Sequence, residues 1–310
     1  MNDSSNKKLN DIRDEEIDLA DLFNVLWDKK LYIGGITSIF ALISIIYSLS
    51  LPNIYKSEAV LLPVEKESSG SGIGGLSKMI NLDGLGLSTQ SGSKAKEAMA
   101  RLESFDFFSN YFLPNINLED LMAVQNWDLS SNTLTYDSSL YDQELRKWVR
   151  KTSPQVHLVP SSQEAYKKYR KIMSIAREMD DPFVYLSVEH QSPFLAQRWV
   201  ELIITSIDLR MREQTKQESK KAIDYLNTVA PTINYEEVRL ALSALQQEQI
   251  KQLMTIEASQ DYIFKVVASP IASETRFKPL RSVIVIISTL IGMMTSILIF
   301  LALHYRRKEY

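Results

Sequence analysis

Two uninterrupted apolar runs stand near the two ends of the chain, and a mixed polar stretch lies between them. Leu31 to Leu51 (LYIGGITSIFALISIIYSLSL) carries no charge, and a helix needs roughly 20 residues to cross a hydrocarbon core of about 30 Å. Ser282 to Leu303 (SVIVIISTLIGMMTSILIFLAL) is equally uncharged. Each run predicts a transmembrane helix. A cleavable signal is the competing reading of the first, but it follows the acidic stretch DEEIDLADL, where a signal would carry a short basic segment. Two crossings put both termini on one side. Lys29-Lys30 before the first run and Arg306-Arg307-Lys308 after the second favour the cytoplasm, although Arg276, Lys278 and Arg281 flank the second span on its other side. The expected layout is therefore a cytoplasmic tail at 1–30, spans at 31–51 and 282–303, an outer domain at 52–281, and a second tail at 304–310.

Between the spans the periodicity changes several times. Leu19, Leu22, Phe23 and Leu26 follow an amphipathic helical pattern leading into the first span. IYKSEAVLLP, after Pro52, reads as a strand, and Ser68 to Ser93 reads as a loop rich in Gly and Ser. From Ala95, KEAMARLESFDFFSNYF predicts a helix that ends at Pro114, with Met99, Leu102, Phe105 and Phe108 or Phe112 on its buried face. The segment 115–160 mixes short helical and loop signals without a single period. Asp181-Pro182 predicts a turn, and FVYLSVEH after it sets Phe183 and Tyr185 against Val184, Leu186 and Val188 in a buried strand. From Pro193 to about Ser259 the pattern is helical, broken or kinked at Pro231, and the first part alone would be about 50 Å long. Its middle, REQTKQESKK, is polar on every side, as in a helix that projects into solvent or packs against copies of itself. DYIFKVVASP then predicts a strand pairing with the one near Tyr55, so that an α/β base closes next to the membrane.

Composition narrows the function more than it narrows the fold. The 310 residues are 24% charged and 45% hydrophobic with net charge −3, so no strongly basic face points to nucleic acid. Cysteine is absent, which removes disulfides and thiol nucleophiles. Gly70-x-Gly72-x-x-Gly75 has the spacing of a dinucleotide fingerprint, but that fingerprint needs a strand before it and a helix after it. Here EKESS precedes and a further Gly-rich stretch, NLDGLGL, follows, so a loop without nucleotide is expected. His157, His190 and His304 are scattered and predict structural roles, and the pairs Asp180-Asp181 and Glu236-Glu237 predict helix-end or solvated charges. No catalytic constellation, metal site or cofactor site is expected.

The ends of the chain resemble a known family. IDLADLFNVLWDKK in the first tail, Pro52 to Ala59 (PNIYKSEA) after the first span, and VVASPIASETRFKPLRS leading into the second are similar to the Wzz-type O-antigen chain-length determinants, the polysaccharide co-polymerases of Gram-negative inner membranes. The resemblance implies an α+β fold: two transmembrane helices flanking a periplasmic α/β base with a long protruding helix. It implies a non-enzymatic homo-oligomer that sets the modal length of polymer made by a Wzy-type polymerase from undecaprenyl-linked units. The family's proline-rich approach to the second span corresponds to Pro270 and Pro279, although Arg276-Phe277-Lys278 interrupts it, and its small-residue motif within the span corresponds to Gly292 and Ser296. Read physically, the prolines would stiffen the link, and Gly292-x-x-x-Ser296 would let a helix of the first span or of a partner approach closely. Within the same superfamily, an export co-polymerase for capsule or exopolysaccharide with an attached tyrosine kinase would need a Walker A segment and a tyrosine-rich tail. With only Tyr305 and Tyr310 after the span, that alternative requires a separately encoded kinase. A periplasmic sensor would be expected to carry an output domain after its last span.

Overall fold

The computed structural model describes residues 26–64, 91–150, 157–178 and 181–308. It divides into two units, one of Met1–Pro52 with Lys278–Tyr310 and one of Asn53–Phe277. The glycine-rich loop and most of the amphipathic segment at 19–26 lie outside the described residues.

The first unit contains α1 (Lys30–Ser50), which coincides with the first apolar run, and a long C-terminal helix, Arg281–Lys308, numbered α7 below. The two are long and apolar enough to cross a membrane. The second helix continues through the basic residues beyond its apolar run, because nothing in HYRRK breaks a helix.

The second unit is built on a four-stranded antiparallel sheet. Its first strand is β1 (Tyr55–Pro63). There follow α2 (Ser91–Leu102), several short helical turns from Phe105 to Asn115, and α3 (Leu118–Met122). Two small hairpins come next: β2 (Val124–Asp128) with β3 (Thr133–Tyr136), then β4 (Tyr141–Asp142) with β5 (Lys147–Trp148). After α4 (Ser162–Ile172), β6 (Met173–Arg177) and β7 (Val184–His190) form a hairpin about the Asp181-Pro182 turn, where the Asp181 carboxylate accepts the Phe183 amide. Helix α5 (Pro193–Val229), helix α6 (Glu236–Ala258) and β8 (Phe264–Ala268) complete the unit.

The sheet order is β6-β7-β1-β8. β8 pairs antiparallel with β1, Leu61 opposite Val266, as expected from the sequence. Alternation decides the buried face: Ser57, Ala59, Leu61 and Pro63 on β1 and Val184, Leu186, Val188 and His190 on β7 all point inward. The lower half of α5 covers that face with Trp199, Val200, Ile203, Ile207 and Met211. Ser192 caps α5 by accepting the Leu195 amide, and Pro193 occupies the first turn, where its missing N–H costs nothing.

The predicted helix from Ala95 to Pro114 is not continuous. It stops at Leu102, and Ser104 caps a new turn by accepting the Phe107 amide. The break shifts the helical phase, so Phe105 is 40% exposed while Phe107, Phe108 and Phe112 are buried. A π-helical turn over Phe108–Phe112 brings two of these rings onto Tyr169, at 5.1 and 4.9 Å between centroids. Tyr169, on α4, donates its hydroxyl to the Leu102 carbonyl at 3.0 Å, and Tyr166 donates to that of Glu103. One helix thus satisfies carbonyls left open at the end of another.

Candidate functional site: a helix seam and a helical hairpin

In the first unit α1 and α7 run antiparallel. Tyr32 meets Phe300, with ring centroids 6.0 Å apart, and Phe40 lies against Gly292. The paired positions advance by the same number of residues on both helices in opposite directions. The seam is made of small side chains one turn apart: Ser44 and Ser48 on α1, Gly292 and Ser296 on α7, all buried. Lipid tails are as apolar as the side chains, so helices in a bilayer associate by close packing rather than by the hydrophobic effect. Gly292 shows how close: a Cβ built there would stand 2.6 Å from Phe40 Cβ and 2.7 Å from Cγ. Those atoms sit next to the α1 backbone and cannot swing away as a side-chain tip can. Ser296 is 0% exposed and donates its hydroxyl to the Met293 carbonyl at 2.8 Å. Gly34 and Gly35, by contrast, face open space.

The other proline and histidine positions are distributed differently. Pro270 is buried in the second unit, on the extended segment after β8, where the buried Ser57 hydroxyl donates to the Ile271 carbonyl at 2.8 Å. Pro279 is half-buried in the first unit and follows a cis peptide bond. His190 is buried at the end of β7, with Nδ1 accepting the Ser192 amide at 3.0 Å and Nε2 2.9 Å from the Asp120 carbonyl. An acceptor at Nδ1 leaves the proton on Nε2, so the ring is neutral and donates to Asp120. Burial holds its pKa below the ordinary histidine value. Asp120 accepts the Tyr136 hydroxyl at 2.6 Å and the Asn117 amide at 2.9 Å, and burial together with that carboxylate pushes the Tyr136 hydroxyl well up. These bonds join α3, the β2–β3 hairpin and β7. Glu236 and Glu237 open α6, where negative charge suits the helix N-terminus, and Glu236 pairs with Arg239. Among the described residues no three His, Asp or Glu side chains converge as a metal site would require.

In the second unit the long helical pattern becomes a hairpin. Pro231 sits in a 3₁₀ turn, Ala230–Thr232, beyond which the chain reverses. Asn227 accepts from Gln246, Lys216 pairs with Glu257, and Arg212 reaches the α6 C-terminus, so α6 runs back antiparallel along α5. The clasp at its base is dense. Arg212 donates to the carbonyls of Ile256, Ser259 and Gln260 and to Asp208, whose other carboxylate oxygen accepts the amides of Tyr262 and Ile263. Along its whole length α6 fully buries only Ile256, at the clasp itself. Leu240 and Met254 are 63% and 67% exposed, and Val238, Leu245 and Ile250 are exposed as well.

Three features went unread in the sequence: the Ser44–Ser48 pair, the Asp208–Arg212 clasp, and the paired tyrosines of α4. Ser44-x-x-x-Ser48, inside an apolar run, carried the same small-residue signal as Gly292-x-x-x-Ser296. No local signal marks the clasp, whose partners lie far along the chain.

The chain combines a mixed α/β unit, built on an antiparallel sheet and a helical hairpin, with two helices long and apolar enough to cross a membrane. Residues 15–111 match the family model Wzz, "Chain length determinant protein", so that part of the chain is similar to this family. A stretch of 68 residues, 22% of the chain, is 38% identical to "Tyrosine-protein kinase etk" of Escherichia coli K12, and the same match occurs in the strains O127:H6 and O157:H7. It spans 9% of the kinase's own length. Among solved structures, a "full-length bacterial polysaccharide co-polymerase" is similar over 94% of this chain and 99% of its own at 15% identity and TM-score 0.40. A fragment of WzzB, the polysaccharide co-polymerase of Salmonella Typhimurium, covers 73% of this chain and all of its own at 12% identity and TM-score 0.27.

Proposed function

We propose that this protein is a non-enzymatic, homo-oligomeric inner-membrane scaffold that sets the modal chain length of O-antigen assembled by a Wzy-type polymerase from undecaprenyl-linked units. The observation that carries the reading is the match of residues 15–111 to the chain length determinant family. In this reading residues 31–51 and 282–303 cross the membrane, 52–281 lie in the periplasm, and both tails are cytoplasmic. Pro270 and Pro279 stiffen the approach to the second span. Gly292 and Ser296 give that span a face that another helix can approach.

Self-association is supported by α6. A helix of 23 residues that buries one side chain at home leaves an apolar surface that a monomer has no use for. Detergent-solubilised protein should scatter light as a large assembly, and a monodisperse monomer would overturn this part. Deleting the gene should remove the preferred band cluster from the lipopolysaccharide ladder, and supplying it again should restore the cluster. An unchanged ladder would refute the O-antigen reading. The match to a tyrosine kinase favours one second reading, an exopolysaccharide or capsule co-polymerase acting with a separately encoded kinase. Loss of surface polysaccharide with an intact ladder would select it.

A further inference from the structure

A groove of about 370 Å³ opens on the α1–α7 pair at the end where α1 finishes and α7 begins. It is lined by Ile45, Ser48 and Leu49 from α1 and by Arg281, Ser282, Val285 and Ile286 from α7. Its volume lies within the roughly 300–1,000 Å³ of small-molecule sites, and its walls are apolar apart from three residues. No acidic side chain contributes to it. Two independent observations point to an occupant with a polar head. The first is positive charge: Arg281, which follows Lys278 by three residues, stands at the N-terminus of a 28-residue helix, where the peptide dipoles add their own positive end. The second is the Ser48 hydroxyl, fully buried at 0% exposure and without a hydrogen-bond partner. Ser44, Ser50 and Ser296 each return their hydroxyls to their own helix backbone at 2.8 Å. Ser48 does not, and it lines the groove.

The geometry points to a binding site for an anionic membrane phospholipid, with one hydrocarbon chain against Ile45, Leu49, Val285 and Ile286 and the phosphate held by Arg281 and Ser48. Two helices alone form the groove, so its open side faces whatever surrounds the pair. For helices apolar all round, that surrounding is lipid, and the occupant arrives from the bilayer. Arginine's forked donors suit phosphate oxygens, and the charge-assisted bond strengthens where water is excluded.

The inference rests on the two helices crossing a membrane, which alkaline carbonate extraction tests separately. The site itself is tested by native mass spectrometry of the full chain released from detergent, titrated with phosphatidylglycerol, phosphatidylcholine or inorganic phosphate. Wild type should retain phosphatidylglycerol about tenfold better than phosphatidylcholine. Arg281→Gln should bring the two to parity, Arg281→Lys should keep most of the preference, and Ser48→Leu, which fills the groove, should lower retention of both. Circular dichroism of each variant should match wild type. Equal retention of the two lipids by wild type, an undiminished preference in Arg281→Gln, or inorganic phosphate displacing the lipid would each overturn the assignment.

Discussion

His190 illustrates how much one buried group can reveal. Its ring accepts from Ser192 and donates to Asp120, and burial depresses its pKa below the ordinary 6.5. An unfolded chain takes up a proton as pH falls through that ordinary value, whereas the folded chain does not until a lower pH. Stability is therefore fully present above about pH 6.5 and declines as pH falls from there toward the depressed folded value. Thermal melts between pH 8 and pH 5 should show the decline, and His190→Gln should flatten it. At the base of the hairpin, Asp208→Ala would orphan the Tyr262 and Ile263 amides and leave Arg212 without its carboxylate. Charge-assisted bonds of this kind contribute about 1.5–3 kcal/mol each, and the pair is about one-fifth exposed. We expect a loss of about 2–3 kcal/mol in denaturant melts, with earlier proteolytic cleavage near Ser259 than in wild type. A loss below the error of the melt would mean that water replaces the carboxylate.

Among the elements, α1 and α7 make the sharpest demand. Any side chain at Gly292 meets Phe40 closer than carbon atoms approach, so Gly292→Ala must push the helices apart or force Phe40 off its rotamer, at about 1–3 kcal/mol. In the proposed chain-length scaffold, Gly292→Leu should go further and shift or abolish the modal polymer length while the protein stays in the membrane at its normal level. Normal polymer length from that variant would mean that the close approach at this position is dispensable. Gly34→Ala, which meets nothing within 4 Å in its own chain, is the control. Helix α6 makes the opposite demand, since Val238, Leu240, Leu245, Ile250 and Met254 stay exposed in this chain. On the proposed self-association through α6, Val238→Glu combined with Leu245→Glu, two turns apart on one face, should dissociate the assembly on a light-scattering column without changing helix content. An assembly of unchanged mass would place the contact elsewhere.

The unit Asn53–Phe277 holds a complete sheet and its own aromatic core. Produced alone, it should melt in one cooperative transition, whereas a chain stopped at Ala258 should not, because β1 would lose its β8 partner and Asp208 its two amides. A cooperative melt of the shorter chain would show that β8 is an accessory to the sheet. Much of this organisation was legible in the sequence. An uncharged run of some twenty residues has one comfortable solution, strict alternation fixes which face of β7 is buried, and Pro231 cannot continue a helix. These are local constraints, and the sequence by itself determined them: two apolar helices, the buried strands, the length of α5 and the place where it ends. Tertiary structure decided what local pattern cannot express. The phase of the rings after Leu102 depended on a cap at Ser104, and the direction of α6 after Pro231 depended on Arg212 meeting carbonyls more than forty residues away. The seam partner of Gly292 was likewise set by two helices separated by the whole central unit. Periodicity records which face a residue turns, but which element that face meets is settled only when distant segments share one core.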